Sequence, residues 1–198
     1  LTPYVTHAEE VERGWEDEII YFIMIDRFHN GNPENDFDVN VDDPFAYHGG
    51  DFKGIIEKLD YIKEMGFTAI WLTPVVQNEE KGYHGYWTED FYNTEEHFGT
   101  LEEFKQLVQE AHKRDIKIIL DVVVNHTGYQ HPWLKDPEKA DWFHEDRPIL
   151  NWNNQEEVEY GRLAGLPDLA QENPKVKDYL IEMAKWWIEE TDVDGFRL

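Results

Sequence analysis

Apolar residues along the chain fall into two kinds of run. Four are short and near-continuous: Ile19–Ile25 (IIYFIMI), Ala69–Leu72 (AIWL), Ile118–Val124 (IILDVVV) and Gly195–Leu198 (GFRL). The first and third are rich in β-branched residues and suit strands buried on both faces, as in a parallel sheet. Between them the period becomes helical. Ile55, Leu59 and Ile62 share one helix face, as do Leu101, Phe104, Leu107, Val108 and Ala111, behind Thr100 and Glu103 in capping-box spacing. Val176, Leu180, Met183, Ala184 and Trp187 form a third stripe, behind Pro174 near the helix start. Strand then helix, repeated and ending on a strand, predicts an α/β protein whose right-handed crossovers give a parallel sheet or part of a barrel.

Two connections are long. One, from about Asp26 to Asp51, is rich in Asn, Asp, Gly and Pro; the other, from about Thr127 to Asn173, is rich in Trp, Asn and Pro. Loops of this length are usually functional or small subdomains. Both follow the C-terminal end of a strand, where α/β barrels keep their sites. The segmentation expected is therefore 1–126 for the first part of the barrel, 127–173 for an insertion and 174–198 for the barrel resumed.

Composition narrows the partners. With 43 acidic and 18 basic residues the net charge is −25, which argues against nucleic acid or an anionic membrane and suits a cation or a neutral substrate. Solubility or adaptation to salt is the favoured account of the bulk of the acidity. No apolar run approaches the length of a membrane span, and LTPYVTHAEEVERGW lacks the basic-then-apolar pattern of a secretion signal. Cysteine is absent, so disulfides say nothing of compartment. Eight Trp and ten Tyr exceed core needs and fit flat surfaces for sugar rings.

Several motifs carry candidate chemistry. In DVVVNH, Asp121 interrupts an apolar run and needs a partner if buried, while Asn125 and His126 fall where the strand leaves the sheet. Asn offers a carbonyl oxygen to a hard cation and His a hydrogen bond to a hydroxyl. Read locally, a satisfied strand-end cluster fits as well. KGYHGYWTED groups Tyr83, His84, Tyr86 and Trp87 around Gly85, as a sugar platform or as a hydrophobic plug under a loop. NGNPEND (Asn30–Asp36) and HGGD (His48–Asp51) offer close-spaced oxygens to calcium, or form a plain turn-rich loop. In GLPDLA, Asp168 reads as a ligand or a cap. In DGFRL, Arg197 on a buried strand needs a carboxylate, and Asp121 is the obvious candidate.

Together these pieces resemble glycoside hydrolase family 13, the α-amylase family. IDRF, GGDFKGI, GFTAIWLTPV, YHGYW, DVVVNH, GLPDL and DGFRL stand in the family's order from about Ile19 to Leu198. The resemblance implies a (β/α)8 TIM barrel, here its first four strands and three helices, with 127–173 as a short domain B. It implies that Tyr86 stacks on the glucose ring beside the scissile bond, with His84 and Trp87 beside it, and that His126 and Arg197 lie near the reactive sugar. It implies calcium as cofactor. Asn125 and Asp168 match one ligand set, with Glu159 a weaker member. Asn30, Asn32, Asn35, Asp36, Gly49 (through its carbonyl) and Asp51 resemble a second.

The activity so implied is retaining cleavage of α-1,4 bonds in starch and maltooligosaccharides, with extracellular location. The alternatives are a cyclodextrin glucanotransferase or related transglycosylase, a non-catalytic glucan- or calcium-binding half barrel, and a silent relative acting as a protein partner. In the family a nucleophilic Asp follows DGFR and one apolar residue, so it is expected immediately after Leu198. The chain is therefore expected to lack the catalytic carboxylates, to be inactive alone, and to need the remaining half of the same enzyme.

Overall fold

A computed structural model describes residues 13–198. The reading of the N-terminus as free of a secretion signal, and the start of the 1–126 segment, lie largely outside the described residues. In chain order the elements are β1 (Ile20–Ile23), α1 (Ile25–Phe28), α2 (Phe52–Glu64), β2 (Ala69–Leu72), β3 (Val76–Asn78), β4 (Thr88–Thr94), α3 (Leu101–His112), β5 (Lys117–Asp121), α4 (Gln155–Tyr160), α5 (Pro174–Thr191) and β6 (Gly195–Arg197). β1, β2, β5 and β6 form one wholly parallel sheet in that order, with Ile23 opposite Leu72, Leu72 opposite Leu120 and Asp121 opposite Arg197. This is a partial (β/α) barrel, as the strand–helix alternation predicted.

The three long helices cover one face of the sheet. Phe52, Ile55, Leu59 and Ile62 of α2, Phe104 and Leu107 of α3, and Val176, Met183 and Trp187 of α5 are buried against it. Each helix starts at a side-chain cap: Asp51 accepts from Gly54 N, Thr100 and Glu103 form a reciprocal capping box, and Asn173 accepts from Lys175 N beside Pro174. Such caps each stabilise by about 1 kcal/mol.

The strand bounds differ from the apolar runs. β1 stops at Ile23, and Ile25–Phe28 turns into one helical turn, whose Ile25 N–H donates to Thr73 Oγ1. β5 stops at Asp121; the Val122 N–H still donates to the Arg197 carbonyl oxygen, and the chain then leaves the sheet and bends at Asn125. Burial on both faces holds for β5, whereas edge strand β1 leaves Ile20 and Phe22 about half exposed. An antiparallel hairpin, β3 with β4, was not expected; its strands are polar, and Asn78 and Thr88 are buried within it. Between β5 and α5 lie short 3-10 turns and α4; isolated bridges join His126 at the end of the barrel part to Asp168, and Phe143 to Leu169 within the segment itself.

Candidate functional site

Asp121, the last residue of β5, is 3% exposed and receives three side chains at the C-terminal end of the sheet. Tyr86 Oη donates to its Oδ2 at 2.9 Å, Trp71 Nε1 at 3.2 Å and Arg197 Nη1 at 3.2 Å. Parallel register puts Arg197 of β6 directly opposite Asp121, so the ion pair follows from the sheet itself. The guanidinium also lies 5.0 Å from the centre of the Trp71 ring. Trp71 is a partner that the sequence reading missed; its alternation within AIWL points it away from the helices, which was the available signal. Burial, then Asp121, pushes the Tyr86 phenol up to about 12, so it stays a donor throughout the physiological range.

The loop between β3 and β4 brings His84, Tyr86 and Trp87 together. The Tyr86 N–H donates to His84 Nδ1 at 3.0 Å, and the His84 ring stands edge-on to Trp87 with centroids 4.6 Å apart. Gly85 makes the turn with φ +88°, where a Cβ would strike the Pro74 carbonyl oxygen. His126 joins from the β5 side, its Nε2 donating to the Tyr86 carbonyl oxygen at 3.2 Å. Burial lowers the pKa of both His84 and His126, which favours neutral rings here. The result is an aromatic and hydrogen-bonding wall above the sheet, suited to a neutral ring with hydroxyls.

Asn125 is exposed just past β5, and its Nδ2 donates to Asp168 Oδ1 at 3.2 Å. The other oxygen of Asp168, itself buried, meets His144 Nδ1 at 2.6 Å, and His144 Nε2 reaches Glu172. Burial works to lower the His144 pKa, but Asp168 and Glu172 outweigh it and raise the value. Burial also raises the Asp168 carboxyl against the pull of His144. His144 was not foreseen. Glu159 stands apart: it is exposed on α4 and takes a hydrogen bond from Gln155, not from the Asn125–Asp168 pair.

In the loop before α2, Asn30 Nδ2 donates to both oxygens of Asp36, and Gly49 closes over them with φ +90°. A Cβ on Gly49 would lie 2.7 Å from Asn30 Nδ2 and from Asp36 Oδ1. Asn35 is 8% exposed, and neither end of its amide has a hydrogen-bond partner among the described residues. Asp51 does other work: its Oδ2 accepts the backbone N–H of Gly31 and of Asn32, and Oδ1 that of Gly54. The donors are amide and carboxylate oxygens, the chemistry of a hard cation. Among the described residues no three His, Cys, Asp or Glu side chains converge at metal distance, so a cation held here leans on amide and backbone oxygens.

Comparison with known proteins matches this architecture. The model of the alpha amylase catalytic domain fits residues 22–198. A Beta/alpha-amylase of Paenibacillus polymyxa is 50% identical over 207 residues, covering 98% of this chain and 17% of that protein. The crystal structure of an Anoxybacillus alpha-amylase is 73% identical with a TM-score of 0.93, over 94% of this chain and 41% of that one. That of the Geobacillus thermoleovorans alpha-amylase complexed with acarbose is 65% identical with a TM-score of 0.89, again over 94% and 41%. The chain thus spans less than half the length of each.

Proposed function

The chain belongs to the α-amylase catalytic-domain family, and from that premise we propose that it forms the substrate-binding front of a retaining hydrolase of α-1,4-glucans such as starch and maltooligosaccharides. The observation that carries this reading is the junction at Asp121, which holds Tyr86 and Arg197 beneath the wall of His84, Trp87 and His126. A glucose ring lies flat on Tyr86, its hydroxyls facing neutral His126 and the Arg197 guanidinium, whose charge also favours a neighbouring carboxylate in its ionised form.

Retaining cleavage needs two carboxyl groups about 5–5.5 Å apart. Asp121 is unsuited to either role, because three donors already fill its oxygens. In this reading the nucleophile and the acid/base lie beyond Leu198, the remaining strands complete the barrel, and the 198-residue chain alone does not cleave starch. Calcium belongs to the same reading, tying the segment 127–173 to the barrel through Asn125 and Asp168, and the loop before α2 through Asn30, Asn35, Asp36 and the Gly49 carbonyl. It supplies structural cohesion when bound. Secretion belongs there too, and recovery of activity from culture medium rather than cells tests it.

The deciding experiment is product analysis with the full-length protein on starch. Linear maltooligosaccharides released with the α-anomeric configuration support the reading. Cyclic products make it a glucanotransferase, and no attack on any α-glucan overturns it.

A further inference from the structure

Two residues of the IDRF motif, Asp26 and Arg27, have no part in the site described so far. Asp26 is 1% exposed, and its carboxylate accepts the N–H of His48 at 2.9 Å, that of Gly49 at 3.3 Å and Arg27 Nε at 2.6 Å. Nη2 of Arg27 donates to the carbonyl oxygens of Pro44 at 3.1 Å and Ala46 at 2.7 Å. The edge of the guanidinium is thus committed to α1 and the loop that follows it. Its face serves the β3–β4 loop, where Cζ lies 4.0 Å from the centre of the Tyr83 ring. A planar cation held along its edge and stacked on an aromatic face is a geometry that Lys does not reproduce.

Tyr83 passes that contact on. Its ring stands edge-on to His84, with centroids 5.1 Å apart and planes at 70°. His84 accepts the Tyr86 N–H on Nδ1, so the proton of the neutral ring sits on Nε2, a donor for a sugar hydroxyl. Protonation of Nδ1 would break that bond. Burial first, and the Arg27 charge second, lower the His84 pKa and oppose that protonation. The other titratable groups about the ring are the phenols of Tyr83 and Tyr86 on its own loop and, beyond the Tyr86 backbone, His126 from the β5 side. No carboxylate charge among the described residues acts on it.

We propose that Arg27 is a positioning residue for glucan binding: held by Asp26 and the loop carbonyls, it seats Tyr83 and through that ring fixes His84 as acceptor of the Tyr86 N–H and donor to the substrate. The charge contributes as well as the shape, since it keeps His84 in the neutral form that the wall requires as the medium acidifies. Arg27 acts through His84 and not on the reacting bond. The inference rests on the glucan reading given above.

The test uses the full-length protein with Arg27→Gln, which loses both charge and fork, and Arg27→Lys, which keeps only the charge; cooperative melting confirms that each folds. Histidine ring resonances are followed by NMR against pH in the unliganded protein, with His84→Gln identifying the His84 signal, and glucan kinetics are measured over the same range. Arg27→Gln should move the His84 titration to higher pH, and with it the pH at which KM begins to rise in acid. At neutral pH its KM should be about threefold higher, the size of one cation–π contact, with kcat nearly unchanged. Arg27→Lys should raise KM alike yet leave the His84 titration close to that of the parent, because the positive charge survives. Tyr83→Leu removes the shared ring from the other side and should reproduce the rise in KM, which keeps the test decisive should Arg27→Gln not fold. A His84 titration that ignores Arg27→Gln, or that Arg27→Lys shifts as far, overturns the proposal, and so does a KM unmoved by Arg27→Gln and Tyr83→Leu. If the enzyme cleaves glucan normally while both readouts ignore Arg27, this inference alone falls; if no α-glucan binds at all, the glucan reading falls and takes this one with it.

Discussion

The hydroxyl of Tyr86 donates across 2.9 Å to Oδ2 of Asp121, fastening the loop between β3 and β4 to the end of β5. Tyr86→Phe keeps the ring but removes one donor from a buried carboxylate that retains Trp71 and Arg197. The expected loss is about 1–2 kcal/mol, read as a lower urea midpoint at unchanged slope, together with a raised KM for glucan. A variant with both values unchanged would show that the bond neither stabilises the fold nor sets the ring.

Gly85→Ala attacks the same loop through the backbone. The left-handed φ of +88° strains any side chain, and the Pro74 carbonyl in its way belongs to the main chain and cannot swing aside. A cost of about 1–3 kcal/mol follows, with a larger rise in KM than Tyr86→Phe produces because His84, Tyr86 and Trp87 all shift. Thermal melting and glucan kinetics read the two effects separately.

Acid should find His131 first. It is 2% exposed among Phe91 and Trp133, its Nδ1 accepting from Trp133 N. Burial lowers its pKa to about 4, with Lys139 reinforcing and Asp90 opposing the shift. A folded-state value below the unfolded 6.5 means that the stabilisation is complete above pH 6.5 and is lost as pH falls toward about 4. Allowing for partial screening, the loss is on the order of 2 kcal/mol. His131→Phe should lower Tm at pH 7 yet show a shallower fall between pH 6.5 and 4. Parallel pH curves for the two proteins would rule His131 out as the acid-sensitive group.

Chelation tests calcium. At free calcium near 100 Kd the bound state gains about 2.7 kcal/mol, so a strong chelator should lower Tm by several degrees. Asn35→Ala and Asn125→Ala separate the two candidate places, since each should remove only its own share of the shift. An unchanged Tm on chelation removes calcium from the proposed function.

The elements that sequence exposed were those set by burial. Ile118–Leu120 and the stripes of α2, α3 and α5 face the core, and their periods show it. The hairpin escaped because its strands are mostly polar, with Phe91 the one buried apolar side chain of β4, and burial of Asn78 rests on partners distant in sequence: Glu95 and Trp87. Asp121 with Arg197 was legible because a lone charge in an apolar strand demands a partner. His144 and Glu95 with His97 were not, since each acquires its role only from a neighbour that the fold supplies; Trp71 left only the alternation within AIWL as a signal. The candidate ligand sets also separated on folding: Asn30, Asp36 and Gly49 converge, whereas Asp51 is spent on backbone N–H groups and Glu159 stands with Gln155.

The junction at Asp121 gathers β2 through Trp71, β6 through Arg197 and the wall through Tyr86. In the proposed function the Tyr86 ring, which would meet sugar, is thereby a gauge of strand alignment: when the strands slip, the gauge moves. Warming that loosens the sheet without unfolding it would blur the stacking surface first, so glucan affinity should fade several degrees before the cooperative melt.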